Sequence, residues 1–260
     1  MNILDQIVLR KKEEVELAKH KVSIKELEAN PNFGRQPLVF KDFLLAPERT
    51  GIIAEFKRRS PSKGLINGMA DVAEVTQAYN VAGASALSVL TDTDFFGGTA
   101  TDLYQARAAN AIPILRKDFM IDPYQILEAK AWGADVVLLI AAILSAQEVA
   151  DLGQLAQSLG LSVLLEVHNQ QELEKTICPF VNAIGVNNRN LGDFTVNIQT
   201  SFDLAAQIPN EFLKISESAI DNPEVIRQLK SVGYQGFLIG ENFMKTENPG
   251  LAIKDFVAKL

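Results

Sequence analysis

The chain has 260 residues, 47% of them apolar and 22% charged, which is ample for a large core and excludes a disordered or low-complexity polymer. Its net charge of −7 argues against a general nucleic-acid binder, since phosphate neutralisation needs a basic surface, although local cations can still hold a small anion. The single cysteine, Cys178, rules out an intrachain disulfide, favours a cytoplasmic setting and, at an expected helix end, reads as structural.

The first expected element is a helix over Ile3 to Lys19, whose Lys11, Lys12, Glu13, Glu14 and Glu16 leave no uncharged signal-type core. No run approaches the about 18 apolar residues of a membrane span. Strands are expected at Gly51 to Ala54, Ala86 to Leu90, Ile112 to Leu115, Val136 to Ile140, Val163 to Leu165, Ala183 to Val186, Phe212 to Ile215 and Phe237 to Ile239. Amphipathic segments lie between them: Asp71 to Val81, Asp122 to Ala131, Ser145 to Ser158 and Asn222 to Ser231. Asp122-Pro123 and Asn222-Pro223 are helix starts, an N-cap followed by proline. Gly83, Asn110, Gly133, Gly160 and Gly233 are the expected left-handed helix ends.

The strand runs are continuously apolar, not alternating, as in parallel sheets covered on both faces. Eight strands alternating with helices can close as a barrel or open as a doubly wound sheet. The count and the size favour a single (β/α)8 TIM barrel. We expect one domain over residues 1–260, with residues 1–48 a helical extension covering the barrel mouth. Length alone would also allow two domains, but no linker interrupts the pattern. The limits at Met1 and Leu260 suggest a stand-alone protein.

In a parallel barrel the site forms where strands end, so the residues there are the candidates. Those ends read Glu55-Phe56-Lys57-Arg58-Arg59-Ser60, Thr91-Asp92, Arg116-Lys117-Asp118-Phe119, Ile140-Ala141, Glu166-Val167-His168, Asn187-Asn188-Arg189-Asn190, Ser216-Glu217-Ser218-Ala219 and Gly240-Glu241-Asn242. Charged groups at an apolar mouth are partly desolvated and must pair with one another or with a ligand. A solvated loop explains any one of them; Glu55, Lys57, Lys117, Glu166 and Glu217 together point to a site. Ser218-Ala219 and Gly240-Glu241 follow the last two strands, where barrels bind phosphate, and Gly240 to Phe243 reads as either a short helix start or a plain turn. His20 reads as solvent-facing, and His168 as a loop or packing residue. Two histidines and one cysteine make a catalytic zinc site improbable, and no Ser-His-Asp or Cys-His arrangement and no Gly-rich nucleotide loop is present.

The segment IAEFKRRSPSKG over Ile53 to Gly64 resembles the first-strand signature of indole-3-glycerol phosphate synthases. The resemblance continues, in order, through Leu90-Thr91-Asp92 with Phe96-Gly97-Gly98, Leu115 to Phe119, Leu165 to His168, Gly185 to Leu191, Ser216-Glu217-Ser218 and Leu238 to Glu241. It implies ring closure of 1-(o-carboxyphenylamino)-1-deoxyribulose 5-phosphate with loss of carbon dioxide and water. It implies no cofactor and no metal, because loss of the carboxyl restores aromaticity. By resemblance, Lys117 is the general acid, Lys57 a second cation holding the carboxylate, Glu166 the base or stabiliser of cationic intermediates, and Glu55 an orienting group. Asn187 and Arg189 would bind the substrate and Glu217 its hydroxyls. Ser60, Ser218, Ala219, Gly240 and Glu241 would hold the phosphate, and Phe119, Leu138, Ile140 and Leu191 the anthranilate ring. The implied partner is a phosphorylated small molecule, with no nucleic acid, membrane or obligate protein partner.

The sequence departs from the family at Ala219, where glycine is common. Alanine resists positive φ, so phosphate binding would suffer if the site needs that conformation, and would not if only an N–H is needed. Two other readings remain: an isomerase of a phosphoribosyl amine, which typically relies on a Cys or Asp acid/base pair, and a catalytically silent barrel acting as a scaffold, against which the set Lys57, Lys117 and Glu166 argues.

Overall fold

The computed structural model describes residues 2–190, 192 and 194–260. Eight parallel strands close into a barrel: β1 (Ile52–Phe56), β2 (Ala86–Leu90), β3 (Ile114–Lys117), β4 (Val136–Ile140), β5 (Ser162–Val167), β6 (Ala183–Asn187), β7 (Leu213–Glu217) and β8 (Gly236–Ile239). Each strand pairs with the next, and β8 returns to β1 with Ile52 opposite Phe237. The chain is a single (β/α)8 TIM barrel, as the alternation of elements predicts.

The connecting helices start where the caps predict. Asp71, Ser145 and Asn222 accept backbone N–H bonds at the first turns of helices Val72–Val81, Ala146–Ser158 and Pro223–Ser231, each such cap contributing about 1 kcal/mol. Gly83, Gly133, Gly160 and Gly233 take positive φ at the helix ends. Asn110 does not. Its φ is −137°, extended, and its buried amide instead donates to Thr76 Oγ1 at 2.9 Å and to the Ala106 carbonyl at 2.9 Å. A side chain able to satisfy the helix end directly removes the need for a left-handed residue.

Side chains alternate between two cores. Ile52, Ala54, Leu87, Val137, Leu139, Leu165, Ile184 and Phe237 pack outward under the helices. Ile53, Ala86, Leu115, Val136, Leu138, Ile140, Leu164, Ala183, Leu213, Ile215 and Leu238 fill the barrel. Continuous hydrophobicity in the sequence is therefore the superposition of two buried faces.

The N-terminal extension divides between the two barrel ends. Helix α1 (Ile3–Lys21) lies beside the mouth, with Ile7 packed into the cluster that contains Phe119 and Ile140. Its Lys11, only 3% exposed, reaches Asp92 Oδ2 and Asp118 Oδ1, both at 2.9 Å, and Glu14 Oε2 at 2.6 Å. Asp118 also accepts from Thr91 Oγ1 at 2.6 Å and from Arg116 Nη2 at 3.1 Å. Burial raises the Asp118 pKa, but Lys11 and Arg116 outweigh it and hold this carboxyl well below its usual range. Further along, Arg35 pairs with buried Asp135 at 2.8 Å. Phe40 and Leu44, in the short helix Phe40–Leu44, then join the cluster of Ile53, Ala86, Val136 and Leu213 at the opposite end of the barrel.

Candidate active site

The inward parity of each strand selects the site. On β1 it runs Ile53, Glu55, Lys57; on β3, Leu115, Lys117, Phe119; on β5, Leu164, Glu166; on β6, Ala183, Gly185, Asn187, Arg189; on β7, Ile215, Glu217. Parity separates Lys117, inside, from its neighbours Arg116 and Asp118, whose guanidinium and carboxylate serve the network under α1. Together these strand ends line a cavity open at the C-terminal face.

Two lysines and three carboxyls form its floor. Lys117 Nζ donates to Glu166 Oε2 at 2.9 Å and stands 3.8 Å from Glu217 Oε2. Lys57 Nζ donates to Glu55 Oε1 at 2.7 Å, and Ser88 Oγ donates to Glu55 Oε2 at 3.3 Å. Asn187 Nδ2 donates to Glu166 Oε1 at 3.1 Å. Burial pulls the Lys117 pKa down, but the charges of Glu166, Glu217 and Glu55 outweigh it and raise it above the ordinary lysine value. Lys117 is therefore a firm cation, the protonation state a general acid requires. Burial opposes the Glu166 charge as well, yet Lys117 and His168 win and hold it far below the usual carboxylate range.

Glu217 differs. Its Oε1 is buried with no hydrogen-bond partner. Burial, opposed by Lys117 and reinforced by Glu166 and Glu55, pushes its pKa up to about 8. Three carboxyls crowd two ammonium groups, and the least bonded carboxyl takes the proton. Space for it comes from glycine: a Cβ on Gly185 would lie 2.2 Å from Glu217 Oε1. Gly240 plays the same part for Glu55, whose Oε1 would be 2.5 Å from an added Cβ. Gly240 thus leaves room for the Glu55 carboxylate.

The apolar wall combines Phe119, Leu138 and Ile140, as expected, with Leu90, Phe96 and Leu238. Phe96 tilts against Phe119 with ring centroids 5.9 Å apart. The strand-terminal position of Leu90 was the available signal for it; Phe96 sits in a loop whose path no local pattern discloses. Leu191 lies outside the described residues.

Ser60, Ser218, Arg189 and Glu241 stand at the rim. A groove continues from there past Ala219 to Asn242 and Lys245. Ser218 and Ala219 both adopt left-handed backbone, with φ of 65° and 60°. Buried Asn188 secures the bend: its Nδ2 donates to the Glu217 carbonyl at 2.9 Å and the Ser218 carbonyl at 3.3 Å. So the conformation that glycine would adopt freely is imposed on alanine at a cost of about 1 kcal/mol. The short helix Glu241–Met244 does begin after Gly240, but it is a single turn and its dipole is small. The Glu241 carboxylate pairs with Arg189 Nη2 at 3.2 Å. His168 is not a plain loop residue either: it is wedged between Glu166 and Glu172.

The model of the indole-3-glycerol phosphate synthase family matches residues 4–256. An indole-3-glycerol phosphate synthase of Bacteroides thetaiotaomicron is 47% identical over 260 residues, covering 98% of both chains. One of Verminephrobacter eiseniae is 44% identical, covering 97% of both. Among solved structures, a native KDPGal structure superposes with a TM-score of 0.56 at 14% identity, covering 80% of this chain and 91% of that one, a likeness of fold alone. Matched along nearly its whole length by the family model and by these relatives, the chain belongs to the indole-3-glycerol phosphate synthase family, the carboxy-lyases that close the indole ring in tryptophan biosynthesis.

Proposed function

We propose that the lysine and glutamate cluster carries the synthase reaction with Lys117 as the general acid. The observation that supports this most directly is the Lys117 ammonium held 2.9 Å from Glu166 and 3.8 Å from Glu217 at the base of a cavity walled on one side by apolar side chains. The anthranilate ring lies against Phe119, Leu138 and Ile140, with Leu191 from the family pattern. Lys57 faces the carboxylate that is lost. As the ring carbon attacks the ribulose carbonyl, Lys117 delivers a proton to the carbonyl oxygen, and Glu55 orients Lys57. Departure of carbon dioxide restores the aromatic ring. Glu166, ionised and held by the donors of Lys117 and Asn187, then takes the proton whose loss accompanies dehydration, and Lys57 assists the departing hydroxyl. Asn187 and Arg189 position the chain, and Glu217 meets its hydroxyls. A largely neutral Glu217 can donate to such a hydroxyl as well as accept from it.

The phosphate falls on Ser60, Ser218 and the backbone of Ala219, Gly240 and Glu241, near Lys57, Arg189 and Lys245. The Glu241 side chain, occupied with Arg189, offers only its backbone. The reading needs no cofactor and no metal. It places one domain over residues 1–260, with residues 1–48 as an extension, in the cytoplasm and with no obligate protein partner; no helix among the described residues is long and apolar enough to cross a membrane.

The test is indole fluorescence appearing when the purified chain meets 1-(o-carboxyphenylamino)-1-deoxyribulose 5-phosphate without added metal or cofactor. We expect product, and a loss of about 10³-fold in kcat for Lys117→Ala with the fold retained. A well-folded chain that forms no product would reject the reading; full turnover by Lys117→Ala would reject the role of that lysine.

A further inference from the structure

Glu166 is clamped from an unexpected side. His168 follows it by two residues, just past the end of β5, and the ring Nε2 stands 3.4 Å from Glu166 Oε1, an ion-pair contact without hydrogen-bond geometry. The other ring nitrogen, Nδ1, is 3.1 Å from Glu172 Oε2, which also accepts the His168 backbone N–H at 2.8 Å. Glu172 is itself fixed by local sequence. It sits in the first turn of the helix Gln170–Thr176, where its backbone N–H donates to the N-cap Asn169 Oδ1 at 2.9 Å and its Oε1 accepts from Asn169 Nδ2 at 3.0 Å. A carboxylate is at home at that end of a helix. The chain of cause runs from an N-cap to a carboxylate, from that carboxylate to the imidazole, and from the imidazole to the proposed base.

We propose that His168 is a positioning residue for the reaction, an imidazolium held by Glu172 that fixes Glu166 in place and keeps it ionised when acid would otherwise silence it. This inference rests on the reading of Glu166 as the base. The charged groups against the ring are Glu166 from β5 and Glu172 from the following helix; Lys117 from β3 and Glu217 from β7 lie beyond Glu166. Burial works against the charged ring, but the two carboxylates outweigh it and push the His168 pKa up to about 10. With Glu217 largely neutral, Glu55 and Glu166 are matched by Lys57 and Lys117, and Glu172 supplies the counter-charge of the imidazolium itself. Glu172 and His168 also line a second, polar cavity with Asn169, Asn188 and Asn197, which gives the clamp its own contact with solvent.

Two measurements on the full chain decide the matter. The first is kcat/KM against pH for His168→Gln and Glu172→Gln. A merely structural role lowers activity equally at all pH values. The clamp predicts a selective loss that grows as pH falls: the acid limb of the profile moves up by at least about one unit, about tenfold in activity below the parent's limb, while the alkaline side is far less changed. The second needs no substrate. The chain has two histidines, so in His20→Gln the remaining imidazole NMR signal reports His168 alone. We expect it to stay protonated through about pH 8 and its midpoint to fall by about one unit or more when Glu172→Gln is added. A ring that titrates near the ordinary value of about 6.5 overturns the inference, and so does a variant that loses activity uniformly across pH while the parent turns over. A parent chain that makes no product fails differently: it overturns the synthase reading, and with it the base that His168 is held to serve.

Discussion

Two buried ionic clusters sit side by side at the same end of this barrel, built in part from consecutive residues. Arg116 and Asp118 face outward and, with Lys11 of α1, join Thr91, Asp92 and Glu128 into a network beneath the extension. Lys117, between them, faces inward to Glu166 and Glu217. The outer cluster answers Asp118 with donors from several elements and depresses its pKa. The inner one leaves an oxygen of Glu217 unbonded and raises its pKa to about 8. Well-paired charges hold loops in place, whereas a charge left short of partners can still exchange a proton.

Substitutions can break this contrast from either side. The largest effect on stability belongs to the outer cluster: Lys11→Met leaves Asp92 without its cation and Asp118 with Arg116 alone, and should cost about 3 kcal/mol in denaturant unfolding. Lys117→Ala should leave the unfolding midpoint far less changed while abolishing most turnover. Equal destabilisation by the two would erase the distinction. On the inner side, Gly185→Ala puts a methyl group 2.2 Å from the Glu217 oxygen. A displacement of that kind should lower kcat about 10²-fold in steady-state assays.

Next comes pH. Glu217 has a folded pKa raised from 4.5 to about 8, so its contribution to stability is complete below pH 4.5 and fades as pH rises toward 8. Relative to Glu217→Gln, the parent should therefore lose about 4 kcal/mol between about pH 5 and pH 8.5 in parallel denaturant melts. A constant difference would mean that Glu217 ionises normally. Smallest is Ala219→Gly, which relieves the φ of 60° and should stabilise the chain by about 1 kcal/mol.

Much of this was legible in the residues. The apolar strand bodies ending in charge located the mouth, and Lys57, Lys117, Glu166, Asn187 and Glu217 do meet in one cavity. The triplet Arg116-Lys117-Asp118 shows the limit. All three are charged, and only the pleat of the folded strand decides which one faces the cavity. Gly185 was a readable signal left unread: a glycine inside a buried strand marks close approach by another group. The part played by Lys11 was not readable, because its partners come from loops far along the chain. Asn110 shows a residue type suited to one conformation using its side chain to reach another.

The plug formed by Phe40 and Leu44 against Ile53, Ala86, Val136 and Leu213 has a consequence for traffic. With the far end stoppered, the mouth serves as both entrance and exit. Substrate, carbon dioxide, water and the indole product share one doorway, so turnover becomes a queue. The small molecules can leave around the product, but the product must clear the threshold before the next substrate crosses it.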